Sequence, residues 1–278
     1  MKIGVNMEKI MLVDSGYKRR GFFSTINLTL LTILWCKKKN IKPIIGNSVL
    51  AVYSDTPYIF LKKRPIDSFF SGAYSNNEEE KEQLQKIEIS WVHNTGEINY
   101  ESKDTITALR DVNEELLLSI NQDLKSYIST PPAIGVDIFD ISIHYRGCDY
   151  LKNTPGDHIP NLNPKDYLKK ITPFLLTNHS IYVATDDNSF INLMNNSGAS
   201  INYFNNVTRR GPGRSVFIKS ISDYLKLDSK IQVSKGFEVF RDCYWLSRGK
   251  QYIGSNSNLM YYSKILNKNQ KQTNLSMS

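Results

Sequence analysis

Short apolar runs alternate with amphipathic segments along the first part of the chain. Residues 9–14 (KIMLVD) have the continuous apolar character of a buried strand, and a basic loop that contains glycine follows them. Residues 24–39 place leucines at helical spacing behind Ser24, which we expect to cap the helix. Residues 42–45 (KPII) resemble a second strand. Strand, loop, helix and strand in this order are typical of an α/β protein.

Two helices and a linker are predicted in the middle of the chain. Residues 76–87 (NNEEEKEQLQKI) are typical of an exposed acidic helix, with an interaction segment as the alternative. Residues 104–127 carry a stripe of aliphatic side chains at helical spacing, which predicts one long helix. Two prolines in residues 129–135 (STPPAIG) end that helix and stiffen the connection. We therefore predict an N-terminal domain over residues 1–133 and a C-terminal domain over residues 134–278.

Beyond this linker the alternation of strands and helices becomes regular. Strands are predicted over residues 139–145, 180–185, 199–204 and 251–254. Helices are predicted from Asn163, an N-cap before Pro164, from residue 188, over residues 235–248 and from residue 256. This alternation predicts a parallel, doubly wound sheet. Residues 267–278 are polar, so we expect a frayed end there.

Composition mainly excludes classes of protein. With 278 residues, 40% of them hydrophobic and 22% charged, the chain is globular and forms one large domain or two of ordinary size. Its longest aliphatic run, residues 26–36, is shorter than the roughly 20 apolar residues that cross a bilayer. No secretory signal pattern is visible, so we expect a soluble protein. Three widely spaced cysteines and four scattered histidines argue against a disulfide framework and a metal site, and favour a reducing compartment.

The charge of the chain is compatible with several kinds of anionic partner. Thirty-five Lys and Arg residues against 27 Asp and Glu residues leave a net charge of +8. Such a balance fits nucleic acid, an anionic membrane surface or a phosphorylated small molecule. We disfavour nucleic acid, because no segment combines a dense basic stripe with interleaved aromatic residues.

Three predicted strands of the C-terminal half end in polar loops, where ligands of doubly wound sheets bind. His144 and Arg146 follow the first strand on one face, and the planar fork of Arg146 suits a diphosphate unless it pairs with Asp149. After the next strand, Asp186 can accept hydrogen bonds from a base or ribose, whereas Thr185 or Asp187 can cap a helix. Residues 254–258 (GSNSN) open the last helix, either as a phosphate site or as a plain cap.

In their order and spacing, these loops resemble motifs of the fucosyltransferase superfamily that uses GDP-fucose, with its α1,2-, α1,6- and protein O-fucosyltransferase branches. The matching stretches are residues 144–149 (HYRGCD, for HxRxxD), 184–187 (ATDD) and 255–259 (SNSNL). Residues 21–27 (GFFSTIN) and 238–248 (EVFRDCYWLSR) are also similar to segments of the family. The resemblance spans nearly the whole chain except the middle of its N-terminal half.

The resemblance implies a GT-B-like fold of the α/β class. In it, two Rossmann-like α/β domains with mostly parallel sheets face each other across a cleft, and the nucleotide is held mainly by the C-terminal one. It also implies an inverting transfer of L-fucose from GDP-β-L-fucose to a hydroxyl of a glycan or lipid-linked oligosaccharide, without a metal or another cofactor. The linkage stays open, because residues 149–151 (DYL) resemble the α1,2 branch and residues 21–24 (GFFS) the α1,6-like branch.

The resemblance also assigns roles to single residues. Arg146 would bind the β-phosphate, with His144 beside the GDP and Asp186 on the guanosine. The residues that would hold phosphate oxygens are Ser255, Asn256 and Ser257. Those that would line the donor cleft from the N-terminal domain are Gly21, Phe22 and Asn27. Asp149 and Asp157 are candidates for the base that deprotonates the acceptor hydroxyl.

One departure from the family pattern concerns the donor. Many members carry two adjacent arginines, HxRRxD, whereas Arg146 stands alone in this chain. Residues 209–214 (RRGPGR), Arg214 above all, can supply compensating charge to the donor or can form a solvated loop. Two other functions therefore stay open, namely transfer from another nucleotide hexose and an inactive nucleotide- or glycan-binding protein. We expect a cytoplasmic location, with peripheral contact at the inner face of an anionic membrane.

Overall fold

The structure is a computed structural model. It describes residues 9–14, 21–46, 49–50, 65–72, 74, 85–88, 97–99, 102–132, 135–147, 162–175, 178–207, 209, 229–255 and 257–275. The chain divides into two compact units, the first made of residues 1–125 and 228–233 and the second of residues 126–227 and 234–278. The predicted domain boundary after residue 133 stays a prediction, and this division differs from it because residues 228–233 belong to the first unit.

The first unit contains a three-stranded parallel sheet in the order β2-β1-β3. Its strands are β1 (Lys9–Asp14), β2 (Ile41–Ile45) and β3 (Gln85–Glu88). The helix predicted over residues 76–87 is therefore wrong at its end, and residues 76–84 lie outside the described part. Backbone pairing with β1, which places Val13 opposite Ile87, overrides the helical propensity of this charged segment.

Helix α1 (Phe22–Lys38) joins β1 to β2 and is buried along most of its length. It begins at Phe22 behind an extended Gly21 without a side-chain cap, so the predicted cap at Ser24 is wrong. The hydroxyl of Thr32 donates to the carbonyl oxygen of Leu28 at 2.8 Å, which satisfies a polar group inside the buried helix. Among the described residues, no helix is both long enough and apolar enough to cross a membrane.

Two helices stand where one was predicted over residues 104–127. They are α2 (Lys103–Leu118), capped by Ser102, and α3 (Gln122–Ser129). The break forms because the intervening backbone pairs with another segment. The N–H of Ser71 donates to the carbonyl oxygen of Ser119 at 2.7 Å, and the N–H of Asn121 donates to that of Phe69 at 2.8 Å. These bonds replace helical ones, so helical spacing alone does not reveal the break.

The second unit is built on a five-stranded parallel sheet in the order β6-β5-β4-β7-β8. Its strands are β4 (Phe139–Tyr145), β5 (Ile181–Thr185), β6 (Ile201–Asn202), β7 (Gly249–Gly254) and β8 (Lys271–Asn274). Its helices are α4 (Pro164–Ile171), α5 (Asn188–Asn196), α7 (Asn258–Leu266) and the larger part, from residue 234, of α6 (Ser229–Ser247). The parallel sheet confirms the predicted α/β class.

Helices cover both faces of this sheet, and each face has its own apolar core. Phe190 and Met194 of α5 pack with Ile143 on one face, together with α4. Trp245 of α6 and Met260 of α7 pack with Tyr182, Ala184 and Tyr252 on the other. The predicted N-cap at Asn163 is confirmed, because its side chain accepts hydrogen bonds from the backbone N–H groups of residues 165 and 166.

The predicted frayed end is wrong, because residues 271–274 form strand β8 beside β7. The buried side chain of Gln270 donates to the carbonyl oxygens of Leu246 at 2.7 Å and Gly249 at 2.9 Å, which anchors the segment. The four residues of β8 are polar and show no apolar alternation, so no strand was predicted there. Other boundaries also differ: β6 is shorter than predicted, β7 begins at Gly249 instead of residue 251, and α6 begins at Ser229 instead of residue 235.

Candidate functional site

The polar loops predicted to form a site leave the same edge of the second sheet. Strands β4, β5 and β7 are neighbours and parallel, and their last residues lie in register, with Tyr145 opposite Thr185 and His144 opposite Gly254. The segments that follow these strands therefore start side by side at the carboxyl edge of the sheet, where doubly wound proteins bind ligands.

A backbone hydrogen bond ties the first two loops together. The N–H of Gly147 donates to Oδ1 of Asp186 at 2.9 Å, so the turn after β4 is held against the turn after β5. A Cβ atom on residue 147 would lie 2.6 Å from Cε1 of Tyr145 and 2.7 Å from Oδ2 of Asp187. Only glycine fits there. This packing fixes the backbone next to Arg146, whose side chain is half-buried at the edge.

Asp187 is fully buried and caps helix α5. Its Oδ1 accepts hydrogen bonds from the N–H and from the hydroxyl of Ser189, both at 2.7 Å. This confirms the capping role that the sequence allowed for Asp187. Its Oδ2, in contrast, is buried without a hydrogen-bond partner. The sequence did not reveal that this second oxygen is buried without a partner, because a capping pattern does not show how deeply the carboxylate lies.

His144 is buried at the end of β4 and stays neutral. Burial and, to a lesser degree, the charge of Arg146 lower the pKa of the imidazole to about 3. Its carbonyl oxygen accepts a hydrogen bond from the hydroxyl of Tyr167 at 2.7 Å, which fixes the strand end. The ring nitrogen Nδ1 is buried and has no hydrogen-bond partner. His144 therefore offers a neutral ring for hydrogen bonding at physiological pH.

Helix α7 begins at the same edge, two residues later than predicted. The hydroxyl oxygen of Ser257 accepts a hydrogen bond from the N–H of Met260 at 3.2 Å, so Ser257 is the N-cap. Ser255 is partly exposed just before it. Phosphate binding by these serines stays a prediction.

A buried polar cluster on the α6 face of the sheet was missed by the sequence analysis. The hydroxyl of Tyr182 donates to Oδ1 of Asp242 at 2.8 Å. The guanidinium of Arg241 lies 3.6 Å from the ring centroid of Phe204 and 4.2 Å from that of Tyr127. Burial raises the pKa of Asp242 to about 6, against the opposing effects of the Tyr182 hydrogen bond and the nearby arginines. The residues of this cluster come from separate elements, so no local sequence motif predicts it.

Replacing Asp242 with asparagine is expected to change how stability depends on pH. The raised pKa means that the folded protein keeps a proton between about pH 4 and pH 6 that the unfolded chain releases. This group therefore lowers the free energy of unfolding as the pH rises through that window, and asparagine does not. Urea denaturation at a series of pH values from 4 to 7 should show that the free energy of unfolding of the wild type falls by up to about 3 kcal/mol relative to that of Asp242→Asn.

Asp140 provides a control of opposite sign. Its hydrogen bond from Lys250, with those from Ser180, lowers its pKa to about 2, so its contribution to stability is lost as the pH falls. An Asp140→Asn variant should therefore be less stable than the wild type at neutral pH, and this difference in the free energy of unfolding should become smaller as the pH falls. If the free energies of unfolding of the wild type and Asp242→Asn change in parallel with pH, the raised pKa of Asp242 is contradicted.

The site residues predicted in the first unit are found at the start of α1. Phe22 is 2% exposed and packs edge-on against Phe69, with ring centroids 5.0 Å apart. Asn27 is 1% exposed, and Gly21 directly precedes the helix. Their contact with a donor stays a prediction. Four other predicted residues lie outside the described part of the chain, namely Asp149, Asp157, Arg214 and Asn256.

Across the described ranges, no three or more His, Cys, Asp and Glu side chains come together in a way that could hold a metal ion.

Solved structures with a similar fold are fucosyltransferases. NodZ alpha-1,6-fucosyltransferase soaked with GDP-fucose, and the same enzyme co-crystallised with GDP, each match with a TM-score of 0.51 and 12% identity over 93% of both chains. Fucosyltransferase NodZ from Bradyrhizobium matches with the same score and identity over 93% of this chain and 94% of that one. The chain has the α/β fold of these glycosyltransferases. No protein-family model and no curated protein sequence matches it.

Proposed function

We propose that this protein transfers L-fucose from GDP-β-L-fucose to a hydroxyl of a glycan or lipid-linked oligosaccharide, with inversion and without a metal. The observation that carries the proposal is the shared edge of β4, β5 and β7. It brings together His144, Arg146 and Asp186, the residues that the motif resemblance assigns to the donor. The similar structures were determined with GDP-fucose or GDP, which supports the same class of donor.

Arg146 would act on the diphosphate of the donor. Breaking the bond between the sugar and the β-phosphate builds negative charge on the phosphate oxygens. A fixed guanidinium stabilises that charge more in the transition state than in the ground state. The bond from Gly147 to Asp186 holds the backbone beside Arg146, so little reorganisation is needed when the charge develops. The N-terminus of α7 at the same edge would add its dipole.

Asp186 and His144 would hold the nucleoside. Each carboxylate oxygen has two lone pairs, so Asp186 can accept a further hydrogen bond while it keeps that from Gly147. The neutral ring of His144 adds no charge next to the diphosphate. These contacts would orient the donor so that Arg146 meets the phosphate.

The transfer itself would be a direct displacement. The acceptor oxygen forms a bond to C1 of fucose from the face opposite the diphosphate, and the C1–O bond breaks as GDP leaves with the electron pair. The proton of the acceptor hydroxyl passes to a carboxylate, for which Asp149 and Asp157 are the candidates. A cytoplasmic position at the inner face of an anionic membrane, where a lipid-linked acceptor could be reached, is part of the proposal and rests on the net charge of +8.

A nucleotide panel tests the donor class. We expect GDP to raise the melting temperature of the protein, because a ligand held at 100 times its Kd adds about 2.7 kcal/mol to the stability of the folded state. UDP and CMP should produce much smaller shifts. GDP-fucose with mixed oligosaccharides should release GDP at a rate that EDTA does not change.

Each alternative function has its own outcome in this experiment. Stabilisation by UDP or CMP in place of GDP would identify another nucleotide-sugar donor. Binding of GDP without release from GDP-fucose, across a broad set of acceptors, would indicate an inactive binding protein. Loss of turnover with EDTA that Mg²⁺ restores would contradict the metal-independent reaction.

A further inference from the structure

The side chain of Arg209, in the segment after β6, contacts the end of β5. Its Nε–H donates to the carbonyl oxygen of Thr185, the last residue of β5, at 3.1 Å. Its guanidinium carbon also lies 5.4 Å from the ring centroid of Tyr203. These two contacts place a guanidinium at the carboxyl edge of the sheet, beside β4, whose next-to-last residue is His144.

The terminal nitrogen Nη2 of Arg209 is buried and has no hydrogen-bond partner. Two more buried polar atoms at the ends of β4 and β5 share this property, Nδ1 of His144 and Oδ2 of Asp187. Buried polar groups are nearly always hydrogen-bonded, since an unmet donor or acceptor is costly. Asp187 caps α5 on the Ile143 face of the sheet, so Nη2 of Arg209 and Nδ1 of His144 are the two unpartnered atoms that one polar ligand could complete.

His144 and Arg209 border the same face of the sheet. Ala184 packs with the α6 side, and its parallel partner in register is His144, so both side chains point to that side. The positive charge of Arg209 acts on Tyr182 and Asp242, which also lie there. A nucleoside next to His144 would therefore meet the guanidinium of Arg209 at the neighbouring strand.

The chemistry of the guanidinium identifies the part of the ligand that it recognises. With Nε–H given to Thr185, the fork left for a ligand is formed by Nη1 and Nη2. Two parallel N–H donors match the O6 and N7 acceptors of guanine, whereas adenine presents an amino donor where guanine has O6.

We propose that Arg209 reads the purine edge of the donor nucleotide by donating to O6 and N7 of guanine. The proposal rests on the proposed function and adds to it a residue that selects GDP over ADP. Arg209 is then a specificity residue for the base, distinct from Arg146 at the phosphate.

The test compares the Kd values of GDP, IDP and ADP by calorimetry. IDP keeps O6 and N7 but lacks the 2-amino group, so it separates contacts of Arg209 from contacts to that amino group. Arg209→Gln should weaken GDP and IDP by about 5- to 150-fold and leave ADP nearly unchanged. Arg209→Lys should lose nearly as much, because lysine cannot form the fork.

Arg248→Gln is the matched control, because the Nε–H of Arg248 also donates to a backbone carbonyl, that of Asp137, at 2.9 Å. This residue lies at the opposite, amino edge of the sheet, so its replacement should leave all three Kd values unchanged. The GDP-to-ADP ratio is the decisive readout, because each value reports on the folded protein alone. If Arg209→Gln does not fold, Arg209→Lys, which keeps the charge, gives the same ratio.

The outcomes separate this inference from the proposed function. If the wild type prefers GDP and IDP but Arg209→Gln keeps the same ratio, the inference is overturned and the proposed donor stands. If Arg209→Gln weakens GDP, IDP and ADP equally, Arg209 only supports the strand end, and the inference is again overturned. If the wild type binds none of the three nucleotides, the proposed function fails and the inference fails with it.

Discussion

Replacing Arg146 with alanine is expected to lower the kcat for GDP release from GDP-fucose by about 100- to 1,000-fold. This range is typical for the loss of one preorganised donor to a developing oxyanion. Arg146 directly precedes Gly147, whose N–H donates a hydrogen bond to Asp186. The backbone at residue 146 is therefore held in place, and water cannot replace the lost guanidinium favourably. The measurement is steady-state GDP release at saturating GDP-fucose and acceptor, with EDTA present.

Arg248→Ala is the control for the Arg146 experiment, because it removes an arginine from the same unit at the amino edge of the sheet. It should keep kcat within about twofold. Retention of wild-type kcat by Arg146→Ala, with the protein folded, would remove Arg146 from the reaction. A raised KM with unchanged kcat would restrict its role to binding the donor before reaction.

Gly147→Ala is expected to lower the free energy of unfolding by about 1–3 kcal/mol and to weaken GDP binding at least tenfold. The new methyl group would lie 2.6 Å from the Tyr145 ring and 2.7 Å from the buried Oδ2 of Asp187, and neither neighbour can move without disturbing the core or the cap of α5. The turn would have to shift and break the hydrogen bond to Asp186. Urea denaturation measures the stability, and calorimetry measures the affinity for GDP.

Gly198→Ala separates general destabilisation from damage to the site. Gly198 adopts a φ of +79°, and nothing lies within 4 Å of an added Cβ, so the substitution strains the backbone without a clash. We expect a cost of about 1–2 kcal/mol and unchanged affinity for GDP. Unaltered stability and affinity in Gly147→Ala would show that the turn tolerates a side chain and does not hold the site.

The strands that build the candidate site could be predicted from the sequence because their signals are local. Strands β4 and β5 are buried on both faces, so each is a short, mostly apolar run that ends in polar residues. The rule that ligands bind at the carboxyl ends of such strands then pointed to His144, Arg146 and Asp186. The cap at Asn163 and the end of α3 before Pro131 were predictable for the same reason, since a few neighbouring residues decide them.

Other features depend on partners far away in the chain. The acidic character of residues 76–87 indicated a helix, but the backbone of β3 pairs with β1. The aliphatic residues over 104–127 keep helical spacing throughout, but the backbone of residues 69–71 pairs with the break between α2 and α3. The polar strand β8 owes its place to β7 and to the buried Gln270. Backbone hydrogen bonds between distant segments leave no periodic trace in either segment.

By itself, the sequence determined the α/β class, the parallel character of the second sheet and the loops that carry the candidate chemistry. Only the tertiary structure decided which polar atoms in those loops lack partners and which charges lie buried together. Features of this second kind are Oδ2 of Asp187, which has no hydrogen-bond partner, the guanidinium of Arg209 at the end of β5, and the raised pKa of Asp242. Burial and unmet hydrogen bonds belong to the packed environment of a group, and that environment is assembled from elements that are distant in the chain.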